Sequence, residues 1–130
     1  MIEEKKEIDR DEYVEAVLKL YLQLPETPLR ASPHDRERAG ALHQRGVTLS
    51  IIESALVLAS LRRLSRPPEA PRLPLIRSLA YFLPVIEELL DNPLPEGYLD
   101  YLRGKIRRLG GEEKVKQQRT GARSEKYVSS

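Results

Sequence analysis

The sequence contains no cysteine and only two histidines among its 130 residues. Without cysteine there is no disulfide framework, no thiol nucleophile and no cysteine-based zinc site. His34 and His43 are nine residues apart on one predicted helix, so they point in opposite directions and cannot share a metal ion. We expect both to be structural or surface residues, and the sequence predicts no metal site.

Recognisable catalytic motifs are also missing. The sequence has no glycine-rich phosphate loop, no H-E-x-x-H segment and no supported Ser-His-Asp arrangement. Glu87 and Glu88 are adjacent, but on a helix they point about 100° apart, which fits a solvated face better than a general acid–base pair. We therefore expect a protein that is not an enzyme, with no catalytic residues, no cofactor and no small-molecule substrate.

The longest apolar run, residues 47–64, is interrupted by Glu53 and again by Arg62 and Arg63. It is too short and too charged to span a bilayer. Residues 1–12 have no apolar segment of the kind that signal peptides carry. Together with the absence of cysteine, this favours a cytoplasmic protein with no membrane association.

The same run is the strongest structural signal in the chain. At 100° per residue its apolar residues share one broad face. They are Ile51, Ile52, Ala55, Leu58 and Ala59. The pattern predicts a central buried helix over about 48–65. Thr48 and Ser50 are both candidate N-caps, and Ser50 has capping-box spacing to Glu53.

Apolar spacing predicts four more helices, and no strand-like alternation is present. The helices lie at about 9–24, 32–46, 75–90 and 97–109. Proline-rich connectors separate them, at residues 25–28, 67–74 and 93–95. Pro84 lies inside the fourth helix, where it should produce a kink or a break near Tyr81, and the unbroken apolar period favours a kink. The fold class is therefore predicted to be all-α, a single-domain bundle of about five helices with proline-rich connectors.

Helix two has a clear start and stop in the sequence. Ser32 is the candidate N-cap, Pro33 occupies the first helical position, and Asp35 lies three residues after the serine. Gly46 is placed where a left-handed residue ends a helix.

Charge divides the chain into three parts, an acidic arm at 1–8, the helical domain at 9–110 and a basic, flexible tail at 111–130. Residues 1–12 carry a net charge of −3, whereas residues 98–126 hold nine bases and four acids. A basic end of this kind favours contact with a polyanion. A solvated helix face followed by a solubilising tail is the alternative interpretation.

Two basic clusters in the helical domain are candidates for contacts with the phosphates of a nucleic acid. They comprise Arg62, Arg63, Arg66, Arg72 and Arg77 around the second connector, and Arg103, Lys105, Arg107 and Arg108 in the last helix.

Each candidate also has a structural interpretation. Arg62 and Arg63 could lie along the core or pair with Glu87 and Glu88. Tyr98 and Tyr101 suit base stacking or simple packing.

A helix-turn-helix can be proposed from residues 32–64, with the central helix as the recognition helix. A recognition helix must present polar side chains to base edges, and this one offers mostly apolar residues. We therefore exclude direct readout of bases by the central helix.

Two segments, G-V-T-L-S-I-I-E-S-A-L-V-L-A at 46–59 and S-L-A-Y-F-L-P-V-I-E-E-L at 78–89, carry a family resemblance. The first fits the pattern G-x-x-x-x-x-I-E-x-A, and Tyr81 with Val85 and Ile86 stands near a Y-x-x-x-I pattern. In this the chain resembles the C-terminal, DnaD-like helical modules of replication-initiation proteins from plasmids, phages and mobile elements. The resemblance implies DNA binding or partner loading during replication, without enzymatic activity.

The leading hypothesis is thus a non-enzymatic accessory protein of DNA replication or of a mobile element that binds the phosphate backbone. The competing hypothesis is a helical protein-interaction or oligomerisation module, with a protein partner or a second copy and no nucleic acid.

Overall fold

The computed structural model describes residues 8–111. Within them every regular element is helical, which confirms the predicted all-α fold. The α-helices are α1 (Arg10–Leu22), α2 (Pro33–Gln44), α3 (Leu49–Leu64), α4 (Leu83–Asp91) and α5 (Tyr98–Ile106). A 3₁₀ helix (Leu79–Phe82) precedes α4, and a π-helical turn (Arg107–Gly111) follows α5. Of the predicted acidic arm and basic tail, all but Ile8 and Gly111 lie outside the described residues.

Helix α3 is the centre of the bundle, as its apolar pattern predicts. It contacts α1, α4 and α5, while α2 packs on α1. Ile52 and Ala55 are fully buried on α3, and Tyr21 and Phe82 meet edge to face beside it, with ring centroids 5.9 Å apart. Since α3 is buried on most of its circumference, it positions the other helices.

The start of α3 settles which of the two candidate caps is used. Thr48 is the N-cap, and its hydroxyl accepts a hydrogen bond from the Ile51 amide at 3.2 Å. Ser50 lies inside the first turn of the helix. Glu53 instead binds Arg103, so the predicted Ser50–Glu53 capping box is wrong.

Helix α2 begins and ends as its sequence predicts. The Ser32 hydroxyl accepts from the Asp35 amide, and the Asp35 carboxylate accepts from the Ser32 amide, which completes a capping box. Gly46 follows the helix with φ +77°, in the left-handed region. The other Asp35 oxygen accepts from the buried Leu79 amide at 2.9 Å and ties α2 to the 3₁₀ helix.

The fourth helix begins later than its apolar period predicts. Residues 71–78 are irregular, because the Ile76 amide donates to the Glu26 carbonyl and the Leu79 amide to Asp35. Pro84 occupies the second position of α4, where its missing N–H costs no helical hydrogen bond. Of the two predicted alternatives, the favoured kink within a long helix is wrong and a break near Tyr81 is closer to the structure, since a 3₁₀ turn at Leu79–Phe82 leads into a helix that begins at Leu83.

None of the helices within residues 8–111 is long and apolar enough to cross a membrane.

Candidate nucleic-acid interface

Arg63 is the most deeply buried of the predicted phosphate-binding residues. Its side chain is 5% exposed, its Nε donates to the Glu26 carboxylate, and its Nη2 donates to the Pro74 carbonyl. The guanidinium carbon also lies 5.5 Å from the ring centroid of Tyr81. Burial disfavours the charge on Arg63, but hydrogen bonds with Tyr81 and Glu26 outweigh it, so its pKa lies above the ordinary arginine value. In this arrangement Arg63 joins the end of α3 to the connectors at 25–28 and 67–74.

Glu26 has an unusual backbone. Its φ is +66°, a left-handed conformation that residues other than glycine adopt at a cost. Its carbonyl accepts from the Ile76 amide at 2.9 Å while its carboxylate accepts from Arg63. The two contacts, one with the segment before the 3₁₀ helix and one with the end of α3, hold Glu26 in this conformation.

Arg62, one residue earlier than Arg63, points to the surface. It donates to both oxygens of Glu88, at 2.9 and 2.7 Å. This is the ion pair that the structural interpretation of Arg62 predicted instead of a phosphate contact. Glu87 pairs with Arg45, also through two hydrogen bonds, at 2.6 and 3.1 Å. The hydrogen bonds from these arginines lower the pKa of both carboxyl groups. Both pairs fix α4, one to α3 and one to the C-cap of α2.

Arg66 and Arg103 also have partners within the protein. Arg66 donates to the Pro71 carbonyl at 2.7 Å. Arg103 contacts Glu53 through Nε at 2.8 Å and again through Nη2, and its Nη1 donates to Asp100 at 3.0 Å. Four of the nine predicted residues, Arg62, Arg63, Arg66 and Arg103, thus have partners elsewhere in the protein, and of these only Arg63 is buried.

The other five have no carboxylate partner among residues 8–111. They are Arg72, Arg77, Lys105, Arg107 and Arg108. Of these, Arg72 and Arg77 are exposed on the irregular segment before the 3₁₀ helix, and Arg107 and Arg108 are exposed in the π-helical turn. The structure therefore divides the predicted clusters into cations that have a partner in the described region and cations that have none there, which composition cannot do.

Tyr98 and Tyr101 lie on the solvent side of α5. They are 40% and 51% exposed, so neither belongs to the core, and the packing that their spacing also allowed is limited to contact at the surface. Their ring centroids are 5.4 Å apart and the ring planes differ by 31°. Lys105 places its Nζ 5.9 Å from the Tyr101 centroid. Helical spacing puts all three residues on one face, and the buried Leu102 and Ile106 lie to one side of that face.

Arg108 extends this face. A Cβ built on Gly104 would lie 3.7 Å from Nη1 of Arg108, so the guanidinium folds back over the glycine. We call Tyr98, Tyr101, Lys105 and Arg108 the α5 stripe. The stripe combines two exposed aromatic rings with two cations that have no acidic partner in the described region.

Other potential sites are less informative. A cleft of about 350 Å³ lies between the start of α3 and residues 93–100, and another of about 530 Å³ lies between α1 and residues 29–36. No group of acidic or histidine side chains within the described chain could hold a metal ion. His34 lies on the surface near Glu37, whereas the half-buried His43 ring lies 3.2 Å from the Ile8 carbonyl.

Comparisons of the chain with protein-family models, with curated proteins and with solved structures gave no match. The DnaD-like resemblance therefore stays a prediction, and functional inference depends on the site itself.

Proposed function

We propose that this protein is a non-enzymatic, cytoplasmic, nucleic-acid-associated accessory protein of DNA replication or of a mobile element. The observation that carries the proposal is a group of cations at the end of α5 that have no carboxylate partner within residues 8–111, namely Lys105, Arg107 and Arg108. Arg72 and Arg77 are the other exposed candidates.

Unpaired cations matter because an arginine already paired with a carboxylate gains little from a phosphate. Arg45 and Arg62 would have to exchange bidentate carboxylates for a phosphate contact. Lys105, Arg107 and Arg108 have no such competitor among residues 8–111. Neutralising phosphates releases condensed counterions, so binding through these side chains must weaken as salt rises.

Few polar side chains are poised to read base edges. Helix α3 is central and mostly buried, and the α5 stripe offers tyrosine rings and cations. We therefore propose binding with weak sequence preference, because phosphate contacts position a protein without reading sequence.

The test is a fluorescence anisotropy titration of labelled duplex and single-stranded DNA at low and moderate salt. The variant Arg107→Gln/Arg108→Gln should weaken binding and reduce the slope of log affinity against log salt by about 2 on duplex DNA. Its matched control, Arg45→Gln/Arg62→Gln, removes the same charge from paired positions and should change the slope much less. No binding of the native chain at low salt, or binding indifferent to salt, would overturn the proposal.

A protein-interaction or oligomerisation module is the second candidate function. It is favoured by exposed leucines, since Leu29 and Leu75 are 70% and 67% exposed. Light scattering over a concentration series tests self-association. If the exposed Leu75 mediates it, Leu75→Ser should raise the protein concentration at which half of the chains are associated. A strict monomer with salt-dependent DNA affinity would favour the first candidate.

A further inference from the structure

The tyrosine pair on α5 has a geometry that phosphate binding alone does not explain. The ring centroids of Tyr98 and Tyr101 are 5.4 Å apart, and about half of each side chain faces solvent. The ring planes are within 31° of parallel. A flat group that stacks on one ring is therefore roughly parallel to the other as well.

The neighbours of the pair identify the chemistry of its ligand. Lys105 lies beside Tyr101, and Arg108 lies over Gly104 in the next turn. About 15 Å of helix separates Tyr98 from Arg108, at 1.5 Å per residue. A ligand that follows the stripe meets aromatic rings first and positive charges next, so it needs flat rings and anionic groups in succession.

A nucleic acid single strand offers these features, whereas a duplex offers only the second. Its bases are unpaired and can stack on tyrosine rings, and its phosphates follow at regular intervals. In a duplex the bases already stack on one another, so exposed tyrosines have no free π-face to meet. The structure thus favours the single strand.

We propose that Tyr98 and Tyr101 stack on unpaired bases of a nucleic acid single strand, and that Lys105 and Arg108 bind its phosphates. This inference rests on the proposed function and adds a preference for single strands over duplexes. Stacking is tolerant of base identity, because every base has a π-face.

Two matched variants separate stacking from apolar contact. Tyr98→Leu/Tyr101→Leu keeps apolar side chains at both positions but removes the rings, whereas Tyr98→Phe/Tyr101→Phe keeps the rings and removes the hydroxyls. Both positions are exposed, so both variants should fold, which far-ultraviolet circular dichroism checks. In anisotropy titrations the leucine variant should bind single-stranded DNA at least about tenfold more weakly than the native chain. The phenylalanine variant should bind it within about twofold of the native chain.

A second ligand makes the test independent of small changes in the protein. A single strand with abasic positions keeps its phosphates but has no bases to stack. The native chain should bind this strand more weakly than a normal one, while the leucine variant should bind both alike. Duplex affinity should be the same for the native chain and for both variants.

The outcomes are distinguishable. If the native chain binds single strand and duplex equally, or if the leucine variant retains single-strand affinity, the stacking inference is wrong while the proposed function stands. If the native chain binds neither ligand at low salt, both proposals are wrong. The sequence has no tryptophan, so quenching of tyrosine fluorescence by the strand, lost in the leucine variant, provides a label-free second readout.

Discussion

Arg62 and Arg63 are neighbours of the same residue type, yet their roles in the fold differ. Arg62 donates hydrogen bonds to Glu88 at the surface, whereas Arg63 is buried against Glu26, Pro74 and Tyr81. The difference follows from the helix, because consecutive residues point about 100° apart and only one of them faces the core. A run of basic residues therefore says little about which of its members is accessible.

Replacing Arg63 by alanine should destabilise the protein by about 2 kcal/mol, because Glu26 and the Pro74 carbonyl lose their buried donor. Urea unfolding followed by circular dichroism measures the change. Arg63→Lys should rescue little, since an ammonium cannot reproduce the planar fork of donors. Arg62→Ala is the matched control and should have a far smaller effect, as its ion pair is exposed. Equal losses at the two positions would contradict the assigned roles.

The buried tyrosines predict how stability depends on pH in the alkaline range. Tyr13 donates a hydrogen bond to the Val47 carbonyl at 2.6 Å, and burial raises its pKa to about 12. Burial also raises the pKa of Tyr21, with a further contribution from the charge of Asp35. Because the folded protein prefers the neutral phenols, this stabilisation is complete below the ordinary tyrosine pKa of about 10 and is lost as pH rises toward 12.

We therefore expect the free energy of unfolding to fall between about pH 10 and pH 12. Tyr13→Phe should be less stable at neutral pH, because the Val47 carbonyl loses its donor, and should show a shallower alkaline decline. Urea titrations at a series of pH values measure both effects. The exposed Tyr101→Phe provides the control and should leave the decline as it is in the native chain. A decline of the same steepness in Tyr13→Phe would exclude Tyr13 as a cause.

At the scale of elements, local signals in the sequence predict α2 and α3 well. The serine, proline and aspartate at 32–35 define the start of α2, Gly46 its end, and the apolar face of α3 its burial. Local signals do not predict the start of α4, because the apolar period extends back to residue 75 whereas the helix begins at Leu83. The amides of Ile76 and Leu79 bind Glu26 and Asp35 instead, and contacts between residues so distant in sequence leave no trace in a periodic pattern.

The same limit applies to the candidate interface. The sequence predicts where basic residues concentrate, but the pairing of Arg103 with Glu53, fifty positions away, follows only from the packing of α5 on α3. The exposure of Tyr98 and Tyr101 is decided in the same way. Which cations lack a partner is thus a property of the assembled helices.

Replacing two glycines by alanine should change the stability of the protein in opposite directions, because one glycine ends a helix in the left-handed conformation and the other lies inside a helix. Gly46 has φ +77° at the end of α2, where a Cβ meets no neighbour but strains the backbone, so Gly46→Ala should destabilise by about 1 kcal/mol. Gly104 lies inside α5, and its added Cβ would make only an ordinary contact at 3.7 Å. Gly104→Ala should therefore stabilise by about 0.5 kcal/mol through helix propensity. Thermal unfolding measures both changes, and shifts of the same sign would contradict this view of the backbone.

At the scale of the whole molecule, ion pairs connect elements that are distant in the chain. Arg45 joins the end of α2 to Glu87 on α4, and Arg62 joins α3 to Glu88 on α4. Because the hydrogen bonds from the arginines lower the pKa of both carboxyl groups, their contribution to stability is present above the ordinary pKa of about 4.5. It is lost as pH falls through the lowered values in the folded protein.

Replacing both acids by neutral residues should therefore make the stability of the protein less dependent on pH at acidic pH, and it should also change the affinity for DNA. In Glu87→Gln/Glu88→Gln the urea midpoint should fall less steeply than in the native chain as pH drops below about 4.5. The variant also frees Arg45 and Arg62, so at neutral pH its affinity for DNA should rise and its salt slope should steepen. Glu12→Gln/Glu37→Gln, which removes two exposed acids elsewhere, controls for net charge. If that control raises affinity and steepens the slope equally, net charge rather than the release of paired arginines governs binding.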